Sequence, residues 1–307
     1  MVKRTLLFTN PARLSLRNKQ LLINLEGENG KPPQELTRPI EDIGVVIIES
    51  QCVTLTSALL SALLSKNVAV ITCDKSHLPE GLLLNLSGNT LQSERFLAQI
   101  GASQPLKKQL WQQTVQAKIS NQAAALKMVA GAENGCMIRW VDRVKSGDSE
   151  NLEGRAAAYY WRNFFPKEMD FRRDRDGVPP NHLLNYGYII LRGIVARSLV
   201  GSGLLPTLGI HHRNRYNAYC LADDIMEPYR PFVDIIVAEI VKERGHDIPM
   251  DKDAKQRLLK LPTVDVMIDG RKSPLMVATQ LTTASLAQCY SGERRKLLYP
   301  NITPTND

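Results

Sequence analysis

The hydrophobic pattern of this chain changes period once, and that change limits what the chain can fold into. Up to about residue 82 the apolar residues come in short runs: Leu6-Leu7-Phe8, Leu14-Ser15-Leu16, Gln20 to Leu25, Gly44 to Glu49 and Val68 to Cys73. Turn signals such as Asn10-Pro11 and Asn18-Lys19 separate them, and runs of this kind are strands. Within this part, residues 54–66 put Leu55, Leu59, Leu60, Leu63 and Leu64 at helical spacing. From about Leu91 longer stretches of helix formers take over. Residues 107–131, 135–144, 181–200, 233–242, 251–261 and 274–289 read as helices, as does a segment opening at Asn151-Leu152-Glu153. Gln104-Pro105 breaks one helix and Gly201-Ser202-Gly203 closes another. Residues 26–33, 74–81 and 170–180 read as loops, with His77 isolated in the second. The reading is an α+β chain: a β-rich domain over residues 1–82, then a larger all-α domain over 83–307 with a flexible tail from about Pro300. A length of 307 residues suits two such cores better than one.

Composition narrows the class. A hydrophobic content of 43% with 23% charged residues fits a soluble globular protein. No run of about 18 apolar residues exists, so no membrane span is expected. The start, Met1 to Phe8, lacks a long apolar region and argues against a signal peptide. Five scattered cysteines with no Cys-x-x-Cys pair give neither a disulfide framework nor a zinc knuckle, and predict a reducing cytoplasmic setting. The net charge is +8. Residues 1–80 hold nine Lys/Arg and eight Asp/Glu, so +7 of it falls on residues 81–307, the footprint of a partner that carries phosphates.

One stretch concentrates chemistry. Leu208-Gly209-Ile210-His211-His212 runs into Arg213-Asn214-Arg215, then Leu221 to Pro228 with Asp223, Asp224 and Glu227. Asp224 and Glu227 are three apart, and Asp223 and Glu227 four apart, so either pair can share a helix face. An imidazole beside such a face can bind metal. The same pattern also describes a solvated helix start whose acids meet the positive end of the dipole. With Glu153 upstream, Glu153, His212 and Glu227 form an oxygen and nitrogen set without thiolate, which suits Mg²⁺ or Mn²⁺. Such an ion can run phosphoryl transfer with little covalent help from the protein. His211 rivals His212 as the ligand. Asp223 and Asp224 could orient the histidine or bind metal-bound water. Arg155, Arg213, Arg215 and Arg230 could hold DNA phosphates.

Taken in order, the motifs resemble those of the CRISPR-associated spacer integrase family, the first of the Cas proteins. The matching pieces are Ile40 to Glu49, Leu55 to Leu63, Thr72-Cys73-Asp74 with Leu78-Pro79-Glu80-Gly81, Leu152-Glu153-Gly154-Arg155-Ala156-Ala157, and Leu184-Asn185-Tyr186-Gly187-Tyr188. The histidine stretch through Glu227-Pro228-Tyr229-Arg230-Pro231 resembles the family's metal motif. The resemblance spans residues 4–290, and Gly-Ile-His-His is similar to the type II subgroup. It implies a β-domain ahead of a helical catalytic domain, with Glu153, His212 and Glu227 as catalytic metal ligands. It also implies a homodimer, and two dimers bridged by the small second adaptation protein. The implied activity is that of a DNA endonuclease and integrase. The 3′-hydroxyls of short double-stranded DNA fragments attack the edges of a CRISPR repeat, in antiviral defence. The family's spacing between its His and its last acid selects His212 over His211. Two other classes fit the residues: a metal-dependent nuclease on branched DNA, and a DNA-binding scaffold with a vestigial site.

Overall fold

The computed structural model describes residues 3–25, 32–75, 79–174, 176–245 and 247–302. The first part contains β1 (Arg4–Phe8), β2 (Ala12–Arg17), β3 (Gln20–Leu25), β4 (Gln34–Pro39), β5 (Ile43–Ile48), β6 (Thr54–Leu55), α1 (Ser57–Ser65), β7 (Ala69–Cys73) and β8 (Pro79–Leu83). The second contains α2 (Gln92–Ile100), α3 (Gln104–Ala130), α4 (Gly135–Arg143), α5 (Leu152–Phe164), α6 (Asn181–Gly201), α7 (Cys220–Met226), α8 (Arg230–Arg244) and α9 (Lys252–Leu258). A hairpin, β9 (Asp265–Ile268) and β10 (Arg271–Pro274), precedes α10 (Leu275–Tyr290).

Two four-stranded sheets build the first part, in the orders β1-β5-β7-β8 and β4-β3-β2-β6. In the first, β1, β5 and β7 run parallel and β8 turns back antiparallel to β7. Every residue of β5 is buried. A strand covered on both faces has no polar side to show, which is why Ile43-Gly44-Val45-Val46-Ile47-Ile48 is an unbroken apolar run. Its side chains alternate between two cores. Val46 and Val70 join Leu14, Leu21, Ile23, Leu59 and Leu63 between the sheets and α1. Val45, Ile47, Ala69 and Ile71 turn the other way and join the helical core. The apolar helix α6 lies against that second face. At Gly193 an added Cβ would come within 2.9 Å of the Ile71 side chain, so the close approach of α6 to β7 depends on the missing methyl. By length and composition α6 could cross a membrane, but most of its apolar window is buried inside the protein, as in a core helix.

The α+β reading holds, with local differences. The helix expected over 54–66 starts at Ser57, because Thr56 caps it by accepting from Leu59 N at 3.3 Å. Thr54 and Leu55 instead pair with β2. Pro105 starts a helix rather than breaking one, since it sits in the first turn of α3 behind the cap Ser103. Residues 79–83, read as the end of a loop and beyond, extend the first sheet. The second part is mostly helical but not wholly so, because β9 and β10 pair at Asp269-Gly270. Residues 300–302, the described start of the tail, are fixed where flexibility was expected: Asn301 N donates to Met267 O at 2.7 Å and Ile302 N to Asn121 Oδ1 at 3.0 Å. His77, residues 26–31 and residues 303–307 lie outside the described residues.

Candidate metal and phosphodiester site

Helix α7 ends in a tight turn, Glu227–Tyr229, that passes directly into α8. Asn121 of α3 fastens this turn by donating to Pro228 O at 2.8 Å and to Pro300 O at 2.9 Å. Glu227 is thereby buried at a fixed point beside α3.

The histidine loop is wrapped around Asp224. This carboxylate is fully buried. Its Oδ2 accepts from the amides of Ile210 at 2.7 Å and His211 at 2.9 Å. Its Oδ1 accepts from the His212 amide at 3.2 Å and lies 2.5 Å from His212 Nδ1. The loop can close this tightly because residue 209 is glycine: a Cβ there would fall 2.4 Å from His212 O and 2.8 Å from Asp224 Oδ2. The hydrogen bond to Asp224 raises the His212 pKa; burial opposes the rise, and the charges of Asp224, Glu227 and Glu153 add to it. With Nδ1 engaged, Nε2 is the nitrogen left for a ligand, the arrangement in which a carboxylate orients a metal-binding imidazole. His211 is used differently. Its ring stacks flat on the buried indole of Trp111, with centroids 4.1 Å apart and planes 4° apart.

Glu153 lies in the first turn of α5, whose free amides already have acceptors. Asp148 takes Leu152 N and Glu153 N, each at 2.9 Å, and Asn151 takes Gly154 N at 3.2 Å. The Glu153 side chain is not needed as a cap, and it reaches Lys118 of α3 at 2.6 Å. The Lys118 ammonium also lies 2.5 Å from Glu227 Oε2. Two carboxylates some seventy residues apart in sequence thus meet on one buried cation. Burial works to strip the proton from Lys118, but Glu227 and Glu153 overcome it and hold its pKa above the ordinary value. Burial likewise opposes ionisation of Glu227, yet Arg230, Lys118 and His212 bring its carboxyl down to about 2.

Arg230 donates from Nε to Glu227 Oε1 at 2.9 Å, and its guanidinium lies 4.6 Å over the Tyr188 ring. It braces Glu227 within the site, a structural role beside the phosphate contact expected from sequence. Behind it, Tyr160 and Tyr188 donate to the buried Asp234 at 2.9 and 2.5 Å. Asp223 is turned away, paired with Arg192 at 2.7 Å and Asn217 at 2.6 Å. Arg155, Arg213 and Arg215 are exposed. Arg213 and Arg215 follow His212 directly, held by Gln104 and by the ring of Tyr216; Arg155 lies over Trp140.

Sequence reasoning placed Glu153, Glu227 and His212 in one neighbourhood; in the structure Glu153 and Glu227 meet on Lys118, which it missed, and His212 lies near enough to feel both their charges. The signal was helical phase: Lys118 continues the buried stripe of Trp111, Thr114 and Val115. A lysine on a buried stripe calls for a carboxylate partner. Among the described residues no three His, Cys, Asp or Glu side chains converge closely enough to hold a metal ion. The donor chemistry nevertheless fits a hard divalent cation. Glu227 Oε2 is buried without a hydrogen bond of good geometry, its charge faces the same point as that of Glu153, and an oriented imidazole stands beside them.

A sheet pair followed by a helical bundle, with two distant carboxylates meeting on a buried cation beside an oriented histidine, defines a narrow class of chain. Residues 5–260 match the family model described as CRISPR associated protein Cas1, and the chain belongs to that family. It is 35% identical over 309 residues to the CRISPR-associated endonuclease Cas1 of Neisseria meningitidis serogroup C, covering 100% of this chain and 99% of that one. A Cas1 of Saccharolobus solfataricus is 30% identical over 211 residues, covering 66% of this chain and 65% of the other. The fold is shared with a casposase bound to its integration product (TM-score 0.79, 22% identity, 96% and 92% covered). It is also shared with a Cas1 protein from Thermotoga maritima (TM-score 0.74, 16% identity, 98% and 100% covered).

Proposed function

We propose that this chain is a metal-dependent DNA integrase of CRISPR adaptation. The observation that carries this reading is the meeting of Glu153 and Glu227 on one buried cation beside a His212 that Asp224 orients. Glu153, Glu227 and the Nε2 of His212 would hold Mg²⁺ or Mn²⁺, which when bound would polarise the scissile phosphodiester and stabilise the leaving oxygen. The chain's own residues do the rest. Asp224 keeps the His212 proton on Nδ1, Arg230 fixes Glu227, and the exposed Arg155, Arg213 and Arg215 draw the DNA backbone to the site. In the reaction the 3′-hydroxyl oxygen of a short fragment bonds to phosphorus as a P–O3′ bond at the repeat edge breaks. The proton passes overall from the incoming to the leaving oxygen. No water is consumed and no covalent enzyme intermediate is needed.

Structures with the same fold include a Cas6-RT-Cas1–Cas2 complex and a Cas1–DNA complex. They support a small second adaptation protein and DNA as partners; in the proposed working form, homodimers of this chain are bridged by that protein. The five free cysteines suit the cytoplasm.

The test is a supercoiled plasmid carrying a repeat, incubated with short duplexes, the partner protein and Mn²⁺ or Mg²⁺. Joined products are expected from the wild type. His212→Ala, Glu153→Ala and Glu227→Ala should each lose at least about a hundredfold, the scale of removing a group that acts in the transition state. Unchanged joining in His212→Ala and Glu227→Ala refutes the mechanism. Hydrolysed but never joined products point to a nuclease on branched DNA, and metal-independent binding with neither points to a scaffold.

A further inference from the structure

Lys118 has no counterpart in the sequence argument, yet it sits at the centre of the site. Its side chain is nine-tenths buried, and its ammonium touches both candidate ligand carboxylates, at 2.6 and 2.5 Å. Two carboxylates that share one buried point repel each other, and both stay ionised only if a cation lies between them. The structure offers two cations, and they are built differently. Arg230 approaches Glu227 from the other oxygen and is pinned over the Tyr188 ring. Lys118 presents a compact charge on a flexible stem of four methylenes. The guanidinium is a fixed strut, whereas the ammonium can withdraw.

The point it occupies is also the one where the two carboxylates converge. A divalent ion bound by Glu153 and Glu227 and the ammonium of Lys118 cannot both be there. We propose that Lys118 is an exchangeable counter-cation: its ammonium keeps Glu153 and Glu227 together before the divalent ion binds and must leave the gap when it does. Lys118 is then a positioning residue. It keeps the carboxylates in place for the metal, and metal affinity is set by competition with it. This inference rests on the metal reading of the site given above.

The experiment uses the full-length chain. Mn²⁺ binding is measured calorimetrically for the wild type, Lys118→Met, and Glu153→Gln as the site control, with thermal melts at zero and saturating Mn²⁺. Lys118→Met should melt lower than the wild type without metal and recover most of the difference when Mn²⁺ is saturating. Its Mn²⁺ affinity should be tighter by about tenfold, the scale of coupling between two ligands that exclude one another. A second measurement needs no variant. Acetylation of wild-type lysines is followed by mass spectrometry with and without Mn²⁺, and Lys118 should become more reactive when the ion binds. Equal or weaker Mn²⁺ affinity in Lys118→Met overturns the proposal, as does unchanged Lys118 acetylation. In either case Mn²⁺ binding that is lost in Glu153→Gln leaves the metal reading standing. A wild type that binds no Mn²⁺ overturns both.

Discussion

Replacing Asp224 with asparagine keeps the shape of the side chain and changes only what each of its ends can accept. In the wild type both oxygens are acceptors: Oδ2 for two amides, Oδ1 for the His212 amide and ring. An asparagine must turn its NH₂ to one of these groups. Facing Ile210 and His211, it sets donor against donor and leaves two amides without an acceptor. A hydrogen bond to a charged partner contributes about 1.5–3 kcal/mol, so the loss is about 3–6 kcal/mol. For a chain of 307 residues that is a fall in Tm of roughly 5–9 °C. Facing His212, the NH₂ forces the ring proton onto Nε2, and the ring ceases to be a ligand. Metal affinity should then drop by about 10–100-fold, the usual cost of losing such an orienting carboxylate. Thermal melts with and without Mn²⁺, together with calorimetric titration of Mn²⁺, separate the two outcomes. An Asp224→Asn protein that melts within about 1 °C of wild type and binds Mn²⁺ equally well would show that Asp224 does not organise this loop.

Two further substitutions probe the supports of the site. Gly209→Ala drives a methyl to within 2.4 Å of His212 O and 2.8 Å of Asp224 Oδ2. It should cost at least about 2 kcal/mol and abolish joining, while far-ultraviolet circular dichroism stays that of the wild type; wild-type joining refutes the account of the loop. Asp234 is buried, and that burial pushes its pKa up to about 7 against the hydrogen bonds from Tyr188 and Tyr160 and the charges of Arg230 and Arg173. An acid raised in the folded state favours folding most below its unfolded value. Its contribution is lost as pH climbs to the folded value, by at most about 1.4 kcal/mol per pH unit. Asparagine does not titrate, so the melting temperature of Asp234→Asn should gain on the wild type between pH 5 and pH 8; a constant offset argues against a raised carboxyl.

What the sequence revealed depended on whether an element writes its surroundings into its residues. Strand β5 does so, because burial on both faces leaves only apolar choices. Strand β4, Gln34-Glu35-Leu36-Thr37-Arg38-Pro39, has no buried residue and so no pattern to read, and its pairing with β3 fixes it instead. The hairpin of β9 and β10 carried a legible Asp269-Gly270 turn, but Arg271-Lys272-Ser273-Pro274 lacks apolar alternation. At the site, residue type and order were enough to nominate Glu153, His212 and Glu227. The residues' own pattern left His211 and His212 open and only the family resemblance selected His212; the stacking of His211 was not legible, because its partner Trp111 is a hundred residues away. The bracing role of Arg230 was legible only in part: Glu227 is three residues away, but Tyr188 meets it through the packing of α6 against α8.

Helix α3 reaches four separate segments from one rod. Trp111 lies under His211, Lys118 stands between Glu153 and Glu227, and Asn121 grips Pro228, Pro300 and Ile302. Lys118 lies seven residues, close to two whole turns, beyond Trp111, and Asn121 lies three residues further on. A single residue inserted or deleted between Trp111 and Asn121 would rotate one end against the other by about 100° and shift it by about 1.5 Å. The stretch therefore acts as a ruler: substitutions within it can be absorbed one at a time, but a change of length cannot. Length variation among chains of this design belongs beyond that span, towards the helix start at Gln104 and the left-handed Gly131 that ends it.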